Sequence, residues 1–408
     1  MNPEPPRILS LKATDSRDLS FLAWALFAFV ASIPLFQFLR ESHDRDFIYF
    51  YAIGYLLNHY PADRLYDYGL QKNIIEALQH EPLKVGHWGL FAYPPHLAML
   101  FQPFALLPQW TACRIWLALN LAMYLTGLRL LVRRFCGGDA WQRSLFFWFG
   151  LFFWPFLSWM LIAGQISAIG FLAMAMAIYW EDRQRYLWSG LALSVCTYKP
   201  TLLLLVLPML LVLRRPKTLA GFGAGSCLWA AVAALLAGPY IWLSWLQASA
   251  GYASGVSRVI PPTLDLRTFT AAITGATRWG SLLFAATAGA AAAFLVRIWW
   301  QARQTPPFLS IASIWAITVT WTLLLNLYVP VYDSVQVVAS ILVTAAMLVK
   351  YSPRWFFGLC GWLLVVAVVS TWLSDRIGWQ LLTLVVAAIG ILQMRAALNQ
   401  NGAARRLL

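Results

Sequence analysis

Acidic residues are scarce. Only 16 Asp and Glu stand against 30 Lys and Arg in 408 residues, and charged side chains of all kinds make up 11% of the chain. That is about half the share found in ordinary soluble domains. Metal-ligand spacing is missing as well. The five cysteines (Cys113, Cys136, Cys196, Cys227, Cys360) lie in or beside apolar runs without paired spacing, so they support neither a disulfide framework nor a zinc site. The five histidines all fall between His43 and His96, with no HExxH or similar ligand pattern, which argues against a metal centre built from them. Internal repeats, low-complexity tracts and an appended soluble domain are absent too.

What is there is hydrophobic: 61% of the side chains, gathered in repeated long runs. The runs lack the roughly ten-residue alternation of an outer-membrane barrel, and an open sheet would leave backbone groups unpaired in hydrocarbon. The expected fold is therefore an all-α polytopic membrane protein. The net charge of +14 does not point to nucleic acid, because the cations recur in pairs beside apolar runs: Arg133/Arg134, Arg183/Arg185, Arg214/Arg215, Lys350/Arg354 and Arg405/Arg406. This is the positive-inside pattern of a membrane protein.

Threading the runs with these clusters inside puts residues 1–19 in a cytoplasmic tail, 20–394 in one transmembrane domain and 395–408 in a second cytoplasmic tail. A first span at Ser20–Leu39 leads into an outer loop, residues 40–109, that ends in a short outer-side re-entrant segment at Pro94–Leu107. Later single spans are expected at Thr111–Val132, Leu219–Tyr240, Leu282–Arg297, Phe308–Tyr328, Tyr332–Val349, Trp355–Leu373 and Gly378–Met394, with an outer loop between Tyr240 and Arg278. Two further segments, 152–180 and 186–213, have inner clusters at both ends and must turn outside, at Gly164-Gln165 and at Lys199-Pro200. The total is about twelve crossings. The arms around Lys199 are short, and an ammonium at their apex needs an anion.

The outer loop carries the chemistry. In HDRDFIYFYAIGYLL (43–57), a helix beginning near Asp44 would let that carboxylate cap backbone N–H groups, with Asp46 in the first turn sharing a face with Tyr49, Phe50 and Ile53. Asp46 can also be read as a simple partner of the helix dipole. Leu70, Ile74 and Leu78 form the stripe of an amphipathic helix suited to the membrane interface.

In order along the chain stand Asp46-Phe47-Ile48-Tyr49, Leu65-Tyr66-Asp67, Phe91-Ala92-Tyr93-Pro94-Pro95, Phe101-Gln102-Pro103, Leu107-Pro108, Ala163-Gly164-Gln165, Thr197-Tyr198-Lys199-Pro200 and Tyr332-Asp333. In that order and spacing the chain, from about Asp46 to Val349, resembles glycosyltransferase family 87. These are multispan GT-C enzymes that include mannosyltransferases of phosphatidylinositol mannoside synthesis. Ser167 stands where the family pattern has asparagine, and no histidine precedes Asp333.

The resemblance implies inverting transfer of a sugar, with mannose the family's best-known case, from a polyprenyl phosphate to a lipid-linked or glycan acceptor. The site would face the outside of the inner (plasma) membrane. It implies Asp46 as general base, with Asp44 second. A leaving phosphate calls for fixed cations, and Lys199 is the first candidate, with Arg258 and Arg267 next. Tyr49, Tyr66, Tyr93, Gln165 and Asp333 are candidate substrate contacts, and Trp88 is a further aromatic that could stack on a sugar. Asp333 reads equally well as a helix cap, and the loop arginines as solvated charges. No cofactor or obligatory metal is expected, since cations alone can handle a phosphate donor. Two other classes fit the same composition: a secondary transporter, against which the missing repeat argues, and a lipid-binding subunit without catalysis.

Overall fold

The computed structural model describes residues 46–80, 82, 90–256, 263–275, 277–304 and 309–405, and all regular structure among them is helical. The span expected at Ser20–Leu39 lies outside these residues, as do Asp44, Trp88 and Arg258.

The first described helices are short. Helix α1 (Phe47–His59) begins at Asp46; α2 (Tyr68–Gln79) is capped by Asp67, whose carboxylate accepts the Leu70 N–H at 3.0 Å; α3 (Pro95–Phe101) starts on a proline, which needs no N–H partner there. The long α4 (Gln109–Phe135) follows, and α5 (Ala140–Leu151) runs through a 60° bend into a π-helical turn, Phe156–Ile162. After α6 (Ser167–Asp182) come α7 (Tyr186–Ser194), two 3-10 turns that meet at Lys199, and α8 (Val206–Val212). The rest is α9 (Pro216–Ala237), α10 (Ile241–Val256), α11 (Leu266–Thr274), α12 (Arg278–Gln304), α13 (Ile311–Leu324), a 3-10 turn at Val331–Ser334, α14 (Val335–Tyr351), α15 (Pro353–Ile377) and α16 (Leu382–Arg405).

Among the described residues six helices are long and apolar enough to cross a membrane, or seven if the bent α5 pair is one span. They coincide with six of the seven later single spans expected from the sequence, which makes the chain a polytopic membrane protein. The seventh, around Phe308–Tyr328, holds only the 14 residues of α13, about 21 Å at 1.5 Å per residue against a hydrocarbon core of about 30 Å. In the two expected hairpins the apolar runs are broken by the π turn and by the 3-10 turns, so their arms are not continuous spanning helices.

Packing divides these helices into a centre and a rim. The most apolar stretch of the α14 segment is 89% buried, whereas those of α9 and α12 are 17% and that of α15 is 22%. Helix α14 therefore runs through the middle, beside the wholly buried α13. On the rim, Leu235 and Trp372 stand 83% and 75% exposed, an arrangement that lipid tolerates and water does not. Where α7 meets α9 the backbones touch closely. A Cβ on Gly190 would lie 2.0 Å from the Thr218 carbonyl oxygen, and one on Gly221 2.3 Å from that of Leu187. Small residues are what permit such an approach.

The amphipathic stripe of α2 has a different use from the one its pattern predicts. Ile74 and Ile75, with Leu70 and Leu78, pack on Ala52 and Leu56 of α1, so the apolar face closes a small core within the protein. The stretch expected to be a loop between Tyr240 and Arg278 instead contains α10 and α11.

Candidate functional site

Three chain segments meet at a break between the π turn and α6. Gly164 sits there with φ +73°, a left-handed conformation that favours glycine, and a Cβ on it would lie 2.8 Å from that of Phe47. The turn expected at Gly164-Gln165 thus brings the start of α1 against the break. All three carbonyls of the turn are held. The Asp46 and Phe47 N–H groups donate to the Ala163 oxygen at 2.9 and 3.0 Å. The Trp116 indole donates to Gly164 at 2.7 Å and the Asn120 amide to Gln165 at 2.8 Å.

Asp46 is half-buried, and its side chain makes no capping bond to α1. Instead the Gln165 amide donates to its Oδ2 at 2.7 Å. The dipole-partner reading therefore leaves out its main contact, a side chain from a different element. Tyr49, one turn along α1, feels the same carboxylate: burial first, and then the Asp46 charge, push its phenol up to about 12.

Gln165 and Tyr49 line a cavity of about 330 Å³ together with Phe50, Leu90–Pro94, Tyr198–Thr201, Trp245, Ser249, Tyr328 and Tyr332. The walls are mainly aromatic, with a few polar groups, which suits a ligand carrying both apolar and hydroxylated parts. Asp46 is not among the lining residues and touches the cavity wall through Gln165.

Lys199 enters from the opposite side. It has the extended backbone (φ −138°, ψ 81°) that joins the two 3-10 turns, as the residue before a proline prefers. Its ammonium is 7% exposed, lies 4.8 Å from the centre of the Tyr332 ring, and forms an ion pair with Asp333. Asp333 is 2% exposed in the turn before α14 and also accepts the Ser167 hydroxyl at 2.9 Å. The anion that Lys199 needed is thus Asp333. This is neither the helix cap nor the free sugar contact that its sequence position admits.

The other expected residues divide. Tyr93 lines the cavity and shares a side-chain hydrogen bond with Tyr332. Tyr66 stands one layer behind, its hydroxyl donating to the Tyr93 carbonyl at 2.8 Å. Arg267 is exposed in the first turn of α11 and is not among the lining residues. Among the described residues that line the cavity, Lys199 is the single Lys or Arg, and no cluster of His, Cys, Asp and Glu able to hold a metal occurs among the described residues.

Sequence reasoning missed Asn120 and Trp116, which fix the turn, and Trp245 and Ser249 of the wall. Asn120 carried a usable signal, a lone amide inside an apolar run. The two α10 residues carried none, because their helix was read as a loop.

One family model, described as Glycosyltransferase family 87, matches residues 91–326, more than half of the chain. The matched stretch includes Tyr93, Gln165 and Lys199; Asp46 precedes it and Asp333 follows it. No curated protein and no solved structure matches.

Proposed function

From the premise that this chain belongs to glycosyltransferase family 87, and is a membrane glycosyltransferase, we propose that it takes a hexose, mannose first, from a polyprenyl phosphate. The acceptor is a hydroxyl of a lipid-linked or glycan substrate on the outer side of the plasma membrane. The observation that carries this reading is that Asp46 and Lys199 approach one aromatic cavity from opposite sides, through Gln165 on one and directly on the other.

Asp46 removes the acceptor proton as the new glycosidic bond forms, because an unassisted hydroxyl is a weak nucleophile. The bond from the anomeric carbon to the phosphate oxygen breaks in the same displacement, and both its electrons leave with that oxygen. Configuration at the anomeric carbon inverts. Negative charge grows on the leaving phosphate, and the Lys199 ammonium, with donors beyond the one directed at Asp333, stabilises it where water is scarce. Aromatic rings of the wall pack on the sugar and on the first isoprene units. Asp44 and Arg258 keep the secondary roles that the resemblance implies, as a second acid and a second cation. Arg267, exposed outside the cavity wall, is the weakest of the phosphate candidates.

The test uses the purified protein in lipid with polyprenyl-phosphate-linked hexoses, nucleotide sugars and a panel of glycolipid acceptors. Transfer is expected from the polyprenyl phosphates and not from nucleotide sugars. Counterflow of a soluble sugar in sealed vesicles without a transfer product would support the transporter reading instead.

A further inference from the structure

The wall of the cavity between Phe91 and Tyr93 has no regular structure, and the sequence explains why. Pro94-Pro95 hold the preceding residue away from helical backbone and offer no N–H of their own. A buried irregular strand must find side-chain partners for its polar groups. Each partner comes from a different element. Gln71 of α2, 1% exposed, accepts the Phe91 N–H at 2.8 Å while its amide donates to the Leu65 carbonyl at 2.7 Å and reaches that of Phe91 at 3.4 Å. The Trp245 indole of α10 donates to Ala92 at 3.1 Å, and Tyr66 donates to Tyr93 at 2.8 Å. Tyr68 ties the same two elements together by donating to the Ala248 carbonyl of α10 at 3.1 Å.

The consequence runs inward. Tyr93 bonds Tyr332, and the Tyr332 ring lies under the Lys199 ammonium. We propose that Gln71, Tyr66 and Trp245 are positioning residues that fix the Phe91–Tyr93 wall, and through Tyr93 and Tyr332 the place of Lys199, so that they set affinity for the phosphate-bearing donor. This rests on the donor reading given above. None of the three is a catalytic residue. Their contacts stand on the Lys199 side of the cavity, so the acceptor that Asp46 activates is not their concern.

The experiment measures Trp245→Phe, Tyr66→Phe and Gln71→Leu in full-length protein in lipid, with separate KM values for donor and acceptor and the apparent melting temperature of each variant. Trp245→Phe and Tyr66→Phe keep a ring and lose a single donor, so they remain folded even if Gln71→Leu, which strands several buried groups, does not. The expected result is a five- to tenfold rise in donor KM, an unchanged acceptor KM and a melting temperature near that of the wild type. A lowered melting temperature with donor KM unchanged would mean that the clamp only holds the fold, and would overturn the proposal. Equal rises in both KM values would overturn it too. A wild type that transfers no sugar from any polyprenyl phosphate overturns the donor reading itself, and this proposal with it.

Discussion

Lys199 and Asp333 form an ion pair closed off from water at the edge of an aromatic cavity, with Ser167 as a second partner for the carboxylate. Removing either charge alone strands the other in a poorly solvated place, which costs about 3–5 kcal/mol. Lys199→Met and Asp333→Leu should therefore each lower the melting temperature markedly. The double variant should recover most of that stability, because an apolar pair can replace a buried ion pair at little cost. It should not recover transfer, since no cation is left for the phosphate. Thermal unfolding and turnover of the three variants, measured side by side, check this.

Gly164 should tolerate no side chain. At φ +73° an alanine is strained by about 1–2 kcal/mol, and its methyl would meet Phe47. The added displacement falls on Gln165 and Asp46, so Gly164→Ala is expected to lose activity by at least tenfold as well as stability. Gly289→Ala, in a helix with nothing within 4 Å of the new methyl, is the control and should behave as wild type in the same assays.

Tyr49 should act as a neutral hydroxyl throughout the working range. Its phenol is raised to about 12 from an ordinary value of 10.0, so the proton stays on when the protein is folded. The unfolded chain gives it up more readily, so any stabilisation from this group is complete below about pH 10 and is lost as pH rises toward 12. Tyr49→Phe is expected to lower the rate a few-fold while leaving the shape of the pH–rate profile between 6 and 10 unchanged. A limb that disappears in the variant would contradict the assignment.

Much of this was legible along the chain, for reasons that differ by residue. The long apolar helices were readable because a run of about 20 residues between basic pairs leaves few other arrangements. The turn at Gly164-Gln165 followed from a segment with inner charges at both ends, and the need of Lys199 for an anion followed from the cost of burying it. The identity of that anion was hidden, because Asp333 meets Lys199 through tertiary packing that no local pattern records. For the same reason the Gln165 amide on Asp46 was not foreseen. The count of twelve crossings came from assigning a full span to each apolar arm, whereas the arms near the site are bent or interrupted where they shape the cavity. The α2 stripe was read correctly as amphipathic, but periodicity alone does not say whether lipid or α1 covers it.

The most direct test of the account is sugar transfer from a polyprenyl-phosphate hexose by wild type and Asp46→Asn, both purified in lipid and shown to unfold at the same temperature. The amide preserves shape and can still hydrogen-bond Gln165, but it cannot take a proton. The predicted result is transfer by the wild type and a loss of at least about hundredfold in the variant, the usual scale of a general base. Equal turnover by the two proteins would contradict it.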